Sequence, residues 1–179
     1  MPVPHFITIV SGLPRSGTSL MMQILEAGGM PLLTDIGTYE FEPVNRTRHD
    51  CSWVQQAPGS AVKVIYALLR HLPAGFEYRL VLMRRDPEEV PFSHTVMLRR
   101  IGTPGVAPLP DRMANAFAAD LETVLAEISR RPEFRLLEVD FTACLQDPAG
   151  VAARLNDFLG GTLNTERAAT VPDPGLRRR

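Results

Sequence analysis

The segment that most restricts what this chain can become lies near its start. His5–Val10 is a β-branched and aromatic run that predicts a strand. It feeds directly into Ser11-Gly12-Leu13-Pro14-Arg15-Ser16-Gly17-Thr18-Ser19. A helical pattern follows, with Leu20, Met21, Ile24 and Leu25 on one face and Gly28-Gly29 as the stop. When a strand turns through a glycine loop into a helix, the N–H groups of the helix start and the positive end of its dipole face the carboxyl end of the strand. That arrangement favours an anion.

Three further apolar runs predict strands: Ala61–Tyr66, Arg79–Met83 and Phe134–Val139. Residues 30–48 carry no clear period. A short helix is expected after Asp50 as N-cap, ending at Pro58-Gly59, and a helical turn over 67–71, stopped by Pro73 and Gly75. Asp86-Pro87-Glu88-Glu89 combines a cap, a first-turn proline and a glutamate three after the cap, and predicts a helix to about Arg100, kinked near Pro91. Residues 101–111, with two Gly and three Pro, read as a loop and a candidate lid. A long amphipathic helix is expected over about Arg112–Arg131, and a last one from Asp147-Pro148 to Gly160-Gly161. Strands that alternate with helices and are apolar on both faces predict an α/β protein. Its form would be a P-loop three-layer fold, with a central mostly parallel sheet of four or slightly more strands flanked by helices, in one domain over 1–179. Ligands of such folds sit at the carboxyl ends of the strands.

Composition removes several classes. At 45% hydrophobic and 22% charged, the 179-residue chain is an ordinary globular sequence, not a disordered or collagen-like one. A formal net charge of −1 argues against a nucleic-acid partner. Cys51 and Cys144 lie far apart and form no CxxC pair, so neither a disulfide framework nor a zinc knuckle is read, and a reduced, cytoplasmic setting is expected. MPVPHFITIV has no basic leader region, and no run approaches the roughly 18 apolar residues of a membrane span. His5, His49 and His94 show no ligand spacing, so no metal site is expected.

The loop has its own chemistry. Gly12 to Thr18 fills the spacing G-x-x-x-x-G-K with Thr18 in the lysine position. Nucleoside triphosphate hydrolases use that lysine on the β- and γ-phosphates. Here the basic group is Arg15, inside the loop, and Ser16, Thr18 and Ser19 add hydroxyl donors. Of 19 basic residues, 18 are Arg; the one Lys is Lys63, within the apolar run AVKVIY. A high Arg share fits GC-rich codon usage, but that does not explain the position of the lysine. A lysine in an apolar strand is costly unless it reaches a cleft or a partner.

Pro14-Arg15-Ser16-Gly17-Thr18 fills P-[KR]-S-G-T, and GLPRSGTS resembles the 5′-phosphosulfate-binding loop of sulfotransferases that use 3′-phosphoadenosine 5′-phosphosulfate (PAPS). A second motif of that family is a strand-end Arg followed eight residues later by a Ser; Arg85 and Ser93 match it. GLPRSGTS, YEFEP and MRRD together resemble short bacterial sulfotransferase-like proteins, and the likeness covers roughly residues 5–100. The resemblance implies metal-independent transfer of a sulfuryl group from PAPS to a hydroxyl or amine of a small-molecule acceptor, leaving adenosine 3′,5′-bisphosphate. It implies that Pro14, Arg15, Ser16, Gly17, Thr18 and Ser19 surround the 5′-phosphosulfate. Arg85 and Ser93 would then hold the 3′-phosphate. It also implies that Arg15 meets the leaving oxygen, and that Lys63, 22 residues before Arg85, fills the place of a second family lysine. Members that use a carboxylate base carry it 20–30 residues after the loop's basic residue, where Asp35, Glu40 and Glu42 lie here. Glu40 and Glu42 are favoured and would share one face of an extended segment, opposite Phe41. His71 reads instead as the end of a helical turn. Arg177-Arg178-Arg179 would cover the 3′-phosphate or form a frayed tail. Family members are generally longer, with extra acceptor-binding segments, and a homo-oligomer is one way to supply that wall.

Two other readings stay open. A P-loop phosphotransferase or nucleotide hydrolase would use Glu138-Val139-Asp140 as its strand-end acid and would depend on magnesium. A non-catalytic module would bind the nucleotide without turnover.

Overall fold

The computed structural model describes residues 5–85 and 111–172, with the side chains of 111–114 left aside. Ile7, Ile9 and Val10 are fully buried, so the strand they form, β1 (Ile7–Gly12), has apolar contacts on both faces. It lies inside the sheet, between β2 (Ala61–Lys63) and β3 (Tyr78–Arg84), and β4 (Phe134–Asp140) pairs with β3 on the far side. The order is β2-β1-β3-β4 and every pairing is parallel. Register runs Thr8↔Ala61 to Val10↔Lys63 on one side of β1 and Ile7↔Tyr78 to Gly12↔Met83 on the other.

The period of two along the strands divides the core into two layers. Val10, Val81 and Met83 face α1 (Thr18–Ala27), α3 (Phe141–Gln146), α4 (Pro148–Phe158) and α5 (Thr165–Ala169). Ile7, Ile9, Leu80 and Leu82 face Leu121, Val124 and Ile128 of α2 (Asp111–Ile128), together with Trp53 and Leu69 from short 3₁₀ segments over Ser52–Gln56 and Tyr66–His71. This is the expected α/β three-layer arrangement.

Several boundaries differ from the sequence reading, each for a local reason. The second strand stops at Lys63 instead of Tyr66: Val64 N–H still donates to Val10 O at 3.0 Å, but the Val64 carbonyl is taken by Ser11 Oγ at 2.6 Å and the chain turns away. Two short helices, α3 and α5, stand beyond the elements expected from the sequence. Asp140 Oδ1 caps the first from Ala143 N–H and Asn164 Oδ1 the second from Arg167 N–H, both at 3.0 Å. The helix expected after Asp86, with Ser93, His94 and Phe92, lies outside the described residues. So do the loop at 101–110 and the arginine tail at 177–179.

The crossovers position the site. From β1 the chain steps to β2 on one side, then crosses to β3 on the other. The carboxyl ends of β1 and β3 therefore flank the point where the direction of winding reverses, the place where open α/β sheets bind ligands.

Candidate functional site

Three segments meet at that point. The first is the loop after β1. Leu13 O accepts from Ser16 N–H at 3.1 Å, closing a turn with Pro14 and Arg15 at its centre. Arg15 has φ 69, the one positive-φ non-glycine residue among those described. A side chain there costs about 1 kcal/mol or more, and such strain concentrates at functional sites. The turn places Arg15 on the surface and Ser16 inside: Ser16 is 2% exposed, and its Oγ is buried with no hydrogen-bond partner among the described residues. Gly12 passes so close to β3 that a Cβ would lie 2.7 Å from Met83 O. Gly17, at φ 100, is the N-cap of α1. No side chain caps this helix and no acidic residue stands in its first turn. Its leading N–H groups, the dipole, Arg15 and the Ser16 and Ser19 hydroxyls make a donor set suited to an oxyanion.

The second segment is the end of β2. Lys63 is four-fifths buried along its side chain, yet its Nζ reaches out to Ser19 Oγ at 3.5 Å and forms an ion pair with Glu40. Lys63 thus joins the first turn of α1 to an acid from another segment.

That acid is positioned by a tight local fold. Asp35 N–H donates to Glu40 O and Glu42 N–H donates to Asp35 Oδ2, both at 2.7 Å. Tyr39 Oη donates to Glu26 Oε2 on α1 at 2.9 Å, which raises the Tyr39 pKa. Phe41 packs edge-on to Trp53 with centroids 6.5 Å apart. The three acids that lie at the spacing of a base consequently part company. Asp35 holds backbone, Glu42 pairs with Arg46 at 3.0 Å within a 3₁₀ segment over Glu42–Arg46, and Glu40 meets Lys63. Glu40 and Glu42 do not act on one face, because the helical turn begins at Glu42.

The third segment is the end of β3. Arg85 Nη1 donates to Arg15 O at 3.3 Å, and its guanidinium lies over the ring of Phe141, 4.2 Å from Cζ to centroid. Arg84, one residue earlier, turns the other way to Glu138 and Glu122. The strand alternation assigns one arginine to the loop and the other to a surface ion-pair cluster. Phe141 carried no spacing signal in the sequence.

Other chemistries find less support. Asp140 is engaged in capping α3 and Glu138 in pairing with Arg84, which weakens the case for a strand-end acid on magnesium. Burial pushes the Cys51 thiol up and the Cys144 thiol up to about 12, so neither is a thiolate at neutral pH. His71 ends a 3₁₀ segment away from these contacts, its carbonyl accepting from Cys51 Sγ. No described helix is long and apolar enough to cross a membrane.

No family model and no curated protein matches the chain. Among solved structures, a sulfotransferase domain from the curacin biosynthetic pathway is similar at TM-score 0.51 and 18% identity, over 100% of this chain and 87% of its own. A retinol dehydratase, solved with androsterone and the inactive cofactor PAP, is similar at 0.49 and 17% identity, over 96% of this chain and 64% of its own. A sugar kinase from Janibacter sp. reaches 0.40 and 14% identity over 95% of this chain and 99% of its own. The last two are too distant to bear on the reading. The first shows a shared fold.

Proposed function

We propose that this chain, which has a sulfotransferase-like fold, transfers a sulfuryl group from PAPS to a hydroxyl of a small-molecule acceptor, using basic side chains where other enzymes use a metal. The observation that carries the reading is the place of Lys63. The chain's one lysine ends β2 beside the glycine loop, on Ser19 and Glu40, while Arg85 reaches the same loop from β3.

PAPS supplies, when bound, an activated sulfuryl group on a phosphate leaving group. The residues present fit such an anion: an uncapped helix start, a buried Ser16 hydroxyl without a described partner, and a close-packed glycine loop that carries Arg15. The loop N–H groups with Ser16, Thr18 and Ser19 hold the 5′ end. Arg15 and Lys63 place positive charge where the leaving oxygen becomes negative, an effect that is strongest when the donors are already oriented. Arg85, with Ser93, holds the 3′-phosphate through its planar fork of donors. Glu40 takes the proton of the attacking hydroxyl, since of the three acids it alone stands on Lys63. With Lys63 drawn to an anionic ligand, the Glu40 carboxylate is released from the ion pair to accept that proton.

Calorimetric titration with adenosine 3′,5′-bisphosphate tests this, with ATP and GTP plus magnesium as comparators. The bisphosphate is expected to bind without magnesium, and Arg15→Ala and Arg85→Ala each to weaken it. Binding only of a triphosphate with magnesium would replace this reading with a phosphotransferase.

A further inference from the structure

We propose that Phe141 is a positioning residue that gives the site its preference for a nucleotide bearing a 3′-phosphate, by fixing Arg85 against the phosphate loop. The inference rests on the sulfotransferase reading above. Phe141 opens α3 immediately after β4 and is 6% exposed. Its ring meets both anion-binding segments. The Arg85 guanidinium lies over it, with Cζ 4.2 Å from the centroid. The ring also lies against Gly17, so closely that a Cβ there would be 2.5 Å from Cδ2 and 3.1 Å from Cε2. Arg85 in turn donates to Arg15 O at 3.3 Å. One side chain therefore sets the spacing between the loop that takes the 5′ end and the arginine that takes the 3′ end.

The chemistry suits the task. An arginine is long and flexible, and an unguided one would sample many rotamers. A guanidinium held over an aromatic ring keeps its N–H donors at its edge, and one of them goes to the carbonyl of Arg15 in the loop. Gly17 is what lets the ring approach: any larger residue would push it off the loop. A ring that only filled space would affect all ligands of the loop alike. A ring that aims Arg85 affects only those with a 3′-phosphate.

The test compares adenosine 3′,5′-bisphosphate with adenosine 5′-phosphate by calorimetry, in the full chain. Phe141→Leu keeps an apolar side chain but removes the aromatic face; Phe141→Tyr keeps the face. Phe141→Met serves if the leucine variant does not fold, and melting curves identify that case. The wild type is expected to prefer the bisphosphate. Phe141→Leu should reduce that preference about five- to tenfold, the size of a partly buried cation–π contact. Phe141→Tyr should retain it, and Phe141→Leu added to Arg85→Ala should remove nothing further. An unchanged preference in a folded Phe141→Leu, or an equal loss for both ligands, would overturn the inference and leave the sulfotransferase reading standing. A wild type that does not prefer the bisphosphate would overturn both, and shows itself before any substitution is made.

Discussion

Replacing Lys63 by methionine separates a structural lysine from a ligand-binding one. The Lys63 side chain is 19% exposed, but its partner Glu40 is 62% exposed. An ion pair with one member largely in water contributes under about 1 kcal/mol. Methionine keeps most of the aliphatic stem between Val62 and Val64, both buried, and relieves the cost of desolvating an ammonium. The two effects oppose each other, so the melting temperature should move by no more than about 2–4 °C for a chain of this size. Ligand binding should respond quite differently. A charge-assisted hydrogen bond to an anion is worth about 1.5–3 kcal/mol, so the affinity for adenosine 3′,5′-bisphosphate should fall about 10- to 150-fold. Thermal melts and calorimetry on the same preparation read both numbers. A melting point lowered by about 10 °C or more (several kcal/mol), with affinity intact, would refute the reasoning. Lys63 would then serve the fold.

Three further outcomes are expected. Gly17→Ala combines a positive φ with a clash against Phe141 and should cost about 2–5 kcal/mol, whereas Gly29→Ala, at φ 90 with nothing within 4 Å, should cost only about 1–2; equal losses in chemical denaturation would contradict the packing described. Once an acceptor is found, Glu40→Gln should lower turnover about 10²–10⁴-fold, while Glu42→Gln, losing an exposed pair with Arg46, should leave it nearly unchanged; the reverse order in steady-state rates would move the base to Glu42. Hydrogen bonds from Arg131 hold the Glu133 carboxylate below its usual range, so its contribution is complete above the ordinary glutamate pKa and is lost as pH falls through the lowered one. Urea unfolding should find the wild type more stable than Glu133→Gln at pH 7, with the gap narrowing towards pH 3; a constant gap would count against the pair.

The sequence reading anticipated what depends on short-range pattern. The strand–loop–helix unit was legible because β-branched runs, glycines and a 3.6 period are all local signals, and β1 and α1 lie within two residues or so of where they were expected. The place of Lys63 was legible too, because a lysine in an apolar run has few uses. The choice among Asp35, Glu40 and Glu42 was not, since it turns on where a 3₁₀ segment begins and on an Asp35 side chain that binds backbone seven residues ahead. Phe141 was illegible for another reason. Its partners, Gly17 and Arg85, lie 124 and 56 positions away, and only the order of strands brings them to it.

The parallel pairing of β1 has a kinetic consequence. Both of its neighbours come later in the chain: β2 lies about 53 residues on and β3 about 71. Neither edge of β1 can be satisfied by a local hairpin, so a loop of that length must close before its backbone is paired. During synthesis, ITIVSG keeps one edge unpaired at least until Tyr78–Arg84 has emerged. The glycine loop after β1, anchored at Gly12 against Met83, takes its shape only after that closure. An oxyanion that binds as proposed would therefore speed the last steps of refolding little and slow unfolding much, since the loop has its shape only in the nearly finished molecule.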